Sequence, residues 1–342
     1  MEISVAADMK RNAPSYYLRF KSIFDFLKNC GKIGYQEIVK RPVGPYRRIS
    51  FNKETDIIVI ARIIDPGVLK KIFYHASENN IPVLYETDDL LLYERRNDAP
   101  IKEQGALLEY LTKASCIVTS TQYLADELRK YNCRVFVFPN LLDSRIWSAE
   151  KENRRDRTGR INICCIGTGM LPENLQFIVP AMEHCQRAYG SDVIFHLWGN
   201  ERYIEKKIRK FKNIKLIEGK VPYRKFARTL QKSCFDIAVA PLCESHFNRA
   251  KSNIKYLEYS ISGISSLFSR TGPYKDLADG QNCILVDHDP DDWRDKIVRM
   301  IDDRELRHRC SDLARMDVLN NYMLDKQWAE QYLSILKTMY DH

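Results

Sequence analysis

No run in the sequence is long and apolar enough to cross a bilayer, and the opening residues, MEISVAADMKRN, lack the apolar core of a secretion signal. The ten cysteines show no CxxC spacing and no paired His ligands, which argues against a zinc site. Cys164 and Cys165 are adjacent in an apolar run, where neighbouring strand residues point to opposite faces. The set reads as reduced, mostly buried thiols of a cytosolic protein. The seven histidines form no ligand pair, and no GxSxG, HExxH, P-loop or Cys/His nucleophile pattern occurs. No GxGxxG follows the first apolar strand, which sets a nicotinamide-dependent reading behind the others. Aromatics do not alternate with basic strands as in RNA-binding sheets, so nucleic acid is not an expected partner.

What is present is a globular chain. Its 342 residues include 4 Trp, 19 Tyr and 14 Phe, and that length fits two α/β domains better than one core. The formal charge is +9. Such an excess attracts phosphorylated ligands or an anionic membrane surface. The basic residues cluster at Arg47–Arg48, Arg154–Arg160 and Lys206–Lys212, and each cluster alone is also what a solvated surface looks like.

Short apolar runs alternate with stretches of helical spacing. Strands are expected at Ile3–Ala7, Asp56–Ala61, Pro82–Tyr85, Cys116–Thr119 and Arg134–Phe138. Helices are expected at Tyr16–Lys28, Pro66–Asn79, Gly105–Lys113 and Gln122–Arg129. The charged stretch Ser144–Arg160 breaks the pattern. Strands then resume at Ile161–Ile166, Val193–Leu197, Ile214–Ile217, Ile237–Pro241, Ser265–Ser269 and Ile284–Val286. This alternation implies doubly wound parallel sheets, with ligands outside the carboxyl ends of the strands. The expected division is an N-terminal Rossmann-like domain at 1–145, a linker at 146–160, a second Rossmann-like domain at 161–320 and a C-terminal helix at 321–342. Trp328, Tyr332, Leu333 and Leu336 share one face of that last helix, so it is expected to pack rather than dangle.

The segment FNRAKSNIKYLEYSISG, from Phe247 to Gly263, carries the most chemistry. A helix through Ser252–Ser262 puts Lys251, Lys255 and Glu258 on one face, beside an apolar stripe of Ile254, Leu257 and Ile261. Ser252 is the expected N-cap and Gly263 the expected stop. Two lysines beside a helix N-terminus suit a diphosphate, and a carboxylate two turns on suits a ribose diol. An ordinary surface helix with Lys–Glu pairs is the competing reading. The strand ending INICCIGTG adds Gly167, Thr168 and Gly169, where glycines let backbone approach a phosphate.

The run ESHFNRAKSNIKYLEYSISGISSLFSRTGPYKDLADGQNCILVDHDPDDW resembles the donor-binding region of family 4 glycosyltransferases of GT-B fold. HLWGN, IEGKVPYRKFARTLQ and the N-terminal passages DIIVIAR, VLYETDDLLL and SCIVTSTQYLADEL…VFVFPNLLD resemble that family's other passages, in the expected order. The resemblance implies two Rossmann-like domains facing a cleft, with the C-terminal helix packing back toward the N-terminal domain. It implies an enzyme that transfers a sugar from a nucleoside diphosphate sugar, with retention, no metal and no cofactor. Glu258 matches the second Glu of the family's Glu–x7–Glu pair, and Ala250 occupies the place of the first. The expected donor site is Gly167, Thr168, Gly169, Gly199, Lys220, Val221, Phe247, Asn248, Lys251, Ser252, Lys255 and Glu258. Asp88, Asp89 and Lys251 are the expected catalytic groups. Paired aspartates also suit a divalent metal, but this pair lies away from the phosphate-binding features. Tyr17, Arg19 and Arg62 are assigned to the acceptor, expected to be a glycan or a lipid-linked sugar in polysaccharide or glycoconjugate synthesis. The expected location is the cytoplasm, with the membrane face as a peripheral partner surface. A sugar-nucleotide epimerase, a phosphorylase and a non-catalytic nucleotide-binding protein of the same fold stand as alternatives.

Overall fold

The computed structural model describes residues 1–7, 9–40, 48–150, 159–167, 172–199, 208–219 and 221–339. Two compact units emerge. One comprises Met1–Leu141, Ser245–Ser252 and Leu324–His342, and the other Leu142–Glu244 and Asn253–Met323.

In the first unit the strands are β1 (Glu2–Ala7), β2 (Gly34–Glu37), β3 (Val39–Lys40), β4 (Arg48–Ile49), β5 (Ile57–Ala61), β6 (Val83–Thr87), β7 (Cys116–Thr119) and β8 (Val135–Val137). β3 and β4 form a small antiparallel pair. The others make a parallel sheet of order β2-β1-β5-β6-β7-β8. Every residue of β5, β6 and β7 is buried, as continuous apolar runs in a sheet covered on both faces require. β2 was not anticipated. Its sequence, GYQE, is polar edge strand without apolar alternation.

In the second unit β9 (Ile161–Gly167), β10 (Val193–Gly199), β11 (Ile214–Glu218), β12 (Ile237–Ala240), β13 (Ser265–Ser269) and β14 (Ile284–Val286) make a parallel sheet of order β11-β10-β9-β12-β13-β14. Each sheet winds outward in both directions from its first strand. The reversal falls between β1 and β5 in one unit and between β9 and β12 in the other, and such switch points open a crevice at the carboxyl edge.

Caps fix where helices begin. Asp65 accepts from the Val68 N–H at 3.0 Å ahead of Pro66, Thr121 accepts from Leu124, and Asp325 accepts from Trp328. The first predicted helix is not uniform. A short turn, Pro14–Tyr16, is followed by a π-helical turn, Tyr17–Lys21, and then by an α-helix, Ser22–Asn29. The C-terminal helix, Lys326–Lys337, packs into the first unit through Ala329, Tyr332, Leu333 and Leu336. Of residues 144–150 in the charged stretch, Trp147 is buried, Ile146 is half-buried and the others are exposed. Trp147 is fully buried in the second unit and donates from Nε1 to the Tyr223 hydroxyl at 3.1 Å. Residues 151–158, with much of one basic cluster, lie outside the described residues, as do Arg47 and 206–207 of the other two. All ten cysteines are free thiols. Among the described residues no helix is long and apolar enough to cross a membrane.

One histidine couples the second sheet to pH. His196 on β10 donates from Nε2 to Asn162 Oδ1 at 2.9 Å and lies against Phe235. Burial, with Lys215 nearby, lowers its pKa from 6.5 to about 4. Below pH 6.5 the unfolded chain takes up a proton that the folded chain refuses, so stability falls as pH drops from 6.5 toward 4. His196→Gln keeps a neutral donor and removes the titration. The variant is expected to show a smaller loss of urea midpoint than the wild type between neutral and mildly acidic pH.

Candidate functional site

In the second unit the candidate site is built on the helix Ile254–Ile261, which follows the carboxyl end of β12. Its stop is well defined. Gly263 has φ +66°, its N–H donates to Ser260 O at 2.8 Å, and Ile264 N–H donates to Tyr259 O at 3.0 Å. That is a Schellman ending, which a glycine in the left-handed region permits. The start differs from expectation. Asn253, not Ser252, occupies the N-cap position and makes no side-chain capping bond. Lys251 therefore precedes the helix, and only Lys255 and Glu258 share its face. They form an i,i+3 ion pair at 2.7 Å.

Glu258 is 1 % exposed, and its surroundings are aromatic and cationic. Burial raises its carboxyl pKa, and the charge and hydrogen bond of Lys255 oppose the rise. The Lys255 ammonium lies 5.3 Å from the Phe226 ring centre and 5.8 Å from that of Tyr259. A cation over a ring face is attracted by the ring quadrupole. The hydroxyl of Tyr223 is buried here as well, with its pKa raised by burial and by the charge of Glu258. Gly167 and Gly199 end β9 and β10 as register partners. Val221 is half-buried just ahead of the helix Tyr223–Lys232. Thr168, Gly169 and Lys220 lie outside the described residues.

Sequence reasoning missed Gly219. A Cβ there would lie 2.5 Å from the Gly199 carbonyl oxygen and 2.6 Å from two further backbone atoms of Gly199. The loop ends after β10 and β11 touch backbone to backbone, and only glycine allows it. The signal was visible in IEGKV as a glycine directly after a strand.

The first unit holds a second cluster, at the carboxyl ends of β5 and β6. Arg62 follows β5 with φ +57°, a left-handed conformation that is costly for a long side chain. Its guanidinium spans both aspartates: Nη1 pairs with Asp88, and Nη2 with Asp89 at 2.7 Å. Arg95 approaches Asp89 at 3.5 Å. Burial pulls the Asp89 carboxyl upward, but Arg62, Lys251 and Arg95 outweigh it and hold the pKa below the usual Asp value. Both aspartates are thus engaged by a guanidinium. Among the described residues no group of three or more His, Cys, Asp or Glu side chains is arranged to hold a metal ion.

Lys251 reaches this cluster because Ser245–Ser252 belongs to the first unit. Asp98, itself at φ +52°, accepts from the backbone N–H groups of His246 at 2.7 Å and Phe247 at 2.8 Å. Thr121 Oγ1 donates to Ala250 O at 3.2 Å, and Tyr123 and Glu127 flank the His246 ring at 3.0 and 3.3 Å. Phe247 and Ala250 join the apolar core of this unit, and Asn248 is 4 % exposed. Arg95 and Lys251 stand over the Phe247 ring at 5.5 and 5.3 Å. The Ser252 hydroxyl accepts from Asn140 Nδ2 at 2.7 Å. Neither Asp98 nor Arg95 had a sequence signal, since each acts on residues far away in the chain.

The remaining acceptor candidates sit on the π-helical turn. Tyr17 is half-buried. The Arg19 side chain is fully enclosed and paired with Glu86 at 2.8 Å in the interior of the unit.

No protein-family model and no curated protein matches the sequence. Solved structures do match in three dimensions. TarM superposes with TM-score 0.63 at 16 % identity, over 84 % of this chain and 55 % of its own, so this chain spans just over half the length of TarM. Sucrose-phosphate synthase from Thermosynechococcus elongatus gives TM-score 0.73 at 12 % identity, over 99 % of both chains. HepE from Anabaena, in complex with UDP and glucose, gives 0.70 at 11 % identity, over 99 % of this chain and 100 % of its own. Together with the two parallel sheets, these likenesses show the GT-B fold.

The backbone contact at Gly219 yields a direct test. Gly219→Ala is expected to cost about 1–3 kcal/mol, because overpacking against backbone cannot be relieved by a rotamer change. Thermal unfolding measures it, and the control Gly105→Ala, whose Cβ would meet nothing within 4 Å, should show no comparable loss.

Proposed function

We propose that the chain is a glycosyltransferase that moves a sugar from a nucleoside diphosphate sugar to a hydroxyl of a glycan or lipid-linked acceptor. The observation that carries this reading is the buried Glu258 paired with Lys255, on a helix following a strand of a Rossmann-ordered sheet. The fold is shared with HepE, which holds UDP and glucose, and with TarM, a mutant of which holds UDP, α-GlcNAc-glycerol and fondaparinux. Those ligands support a nucleotide donor and a glycan acceptor for this chain.

In this reading Glu258 accepts from the ribose hydroxyls, while Lys255 faces the diphosphate. Gly167, at the end of β9, is read toward the phosphates. Gly199 and Val221 are read toward the base. Departure of a nucleoside diphosphate needs cations preorganised where negative charge grows, which is the role read for Lys251 and Lys255. Asp88 and Asp89, both paired with Arg62, are read as acceptor-hydroxyl or acid–base groups, with Arg62 and Tyr17 beside the acceptor. Lysines rather than a metal neutralise the leaving group, and transfer proceeds with retention at the anomeric carbon. The membrane face is read as a peripheral partner, through the excess of basic residues.

One observation favours a second reading. Ala250, at the place of the family's first Glu, is fully buried and carries no polar side chain. A nucleotide-binding protein without transfer activity would tolerate that. Titration calorimetry with UDP, GDP and ADP, followed by turnover assays with the matching sugar nucleotides, separates the two. Saturable binding of one nucleotide is expected, with Glu258→Gln weakening it about 10- to 100-fold, the scale of a hydrogen bond to a charged group. Turnover should survive EDTA. Binding without turnover selects the second reading, and absence of saturable binding overturns both.

A further inference from the structure

A line of buried polar side chains crosses the first unit and ends beside Lys251. The Tyr332 hydroxyl, from the C-terminal helix, donates to Glu86 Oε2 at 2.6 Å. Glu86 Oε1 pairs with Arg19 Nη2 at 2.8 Å. Arg19 Nη1 donates to Phe138 O at 2.8 Å and to Asn140 Oδ1 at 2.9 Å. Asn140 Nδ2 donates to Ser252 Oγ at 2.7 Å. The Asn140 amide has a fixed sense here. Reversed, it would turn its NH2 group toward a guanidinium that can only donate.

Stability alone does not account for this arrangement. The Arg19 and Glu86 side chains are 0 % and 1 % exposed. A buried ion pair repays its desolvation poorly, and well-packed apolar residues of the same volume often do as well or better. What the pair supplies is a fixed place for the guanidinium, whose Nη1 meets Phe138 O and Asn140. Arg19 sits in the middle of the π-helical turn Tyr17–Lys21, a widened turn of the kind that recurs at functional sites. At the far end stands Ser252, next in sequence to Lys251. Asp98 and Thr121 tether residues 246, 247 and 250 on one side of Lys251, and Asn140 tethers the other.

We propose that Asn140, oriented by Arg19, is a positioning residue that acts through Ser252 to fix the backbone carrying Lys251 beside Asp89. Its kinetic consequence rests on the glycosyltransferase reading; its structural consequence does not.

The full chain tests it through Asn140→Ala, Ser252→Ala and their double variant, which leave the Arg19–Glu86 pair in place. Arg19→Ala would risk the fold. The first readout needs no activity: the rate at which an amine-reactive acetylating reagent modifies Lys251, followed by peptide mass spectrometry. Each single variant is expected to change that rate several-fold, and the double variant to match the singles. The second readout is turnover of the sugar nucleotide selected by calorimetry. Here kcat is expected to fall about tenfold with donor KM little changed, again without further loss in the double variant, as for a reactive group displaced by a fraction of an ångström. An unchanged labelling rate, or losses that multiply in the double variant, overturns the proposal. A wild type without turnover overturns the transferase reading, while the labelling rates still decide the relay.

Discussion

Glu258 is a carboxyl group buried in the second unit, and the candidate site there depends on the ion pair that opposes its protonation. A lone buried carboxylate takes up a proton rather than bear the cost of desolvation. Lys255, one helical turn ahead, supplies the opposing charge at 2.7 Å, and is itself steadied by the faces of Phe226 and Tyr259. The pair needs only that positions 255 and 258 lie one turn apart in the same helix. That helix has Asn253 at its N-cap position, and the left-handed Gly263 fixes its end. The touching backbones of Gly199 and Gly219 belong to the same sheet, which carries the glycine-terminated strand β9 at its switch point.

The first unit meets the same problem with two carboxylates. Two acidic side chains end β6, and a single guanidinium answers both. Holding Arg62 at φ +57° costs conformational energy, and such outliers gather where geometry is functional. The segment Ser245–Ser252 then brings a lysine to the same place. Its docking explains Ala250. That position is packed in the apolar core of the unit, where an unpaired glutamate would be costly.

Much of the fold was legible because parallel strands buried on both faces are written as continuous apolar runs. DIIVIA, CIVT and SSLFS map onto β5, β7 and β13 nearly residue for residue. GYQE carried no such signal, and neither did the π-helical turn, since a widened turn preserves the apolar spacing on either side of it. Within the site, Lys255, Glu258 and Gly263 could be read from local helical geometry. Ser252 could not: the serine that looked like a cap is drawn instead to Asn140, more than a hundred residues earlier. Arg19 shows the same limit. The sequence assigned it to the acceptor, and only the tertiary structure reveals its partner Glu86 in the core.

The central claim is that Glu258 and Lys255 mark a nucleotide site. A structure of the chain with UDP bound tests it most directly. The account predicts the ribose hydroxyls within hydrogen-bonding distance of Glu258 and the diphosphate beside Lys255. UDP bound elsewhere, with the Lys255–Glu258 pair untouched, would contradict it.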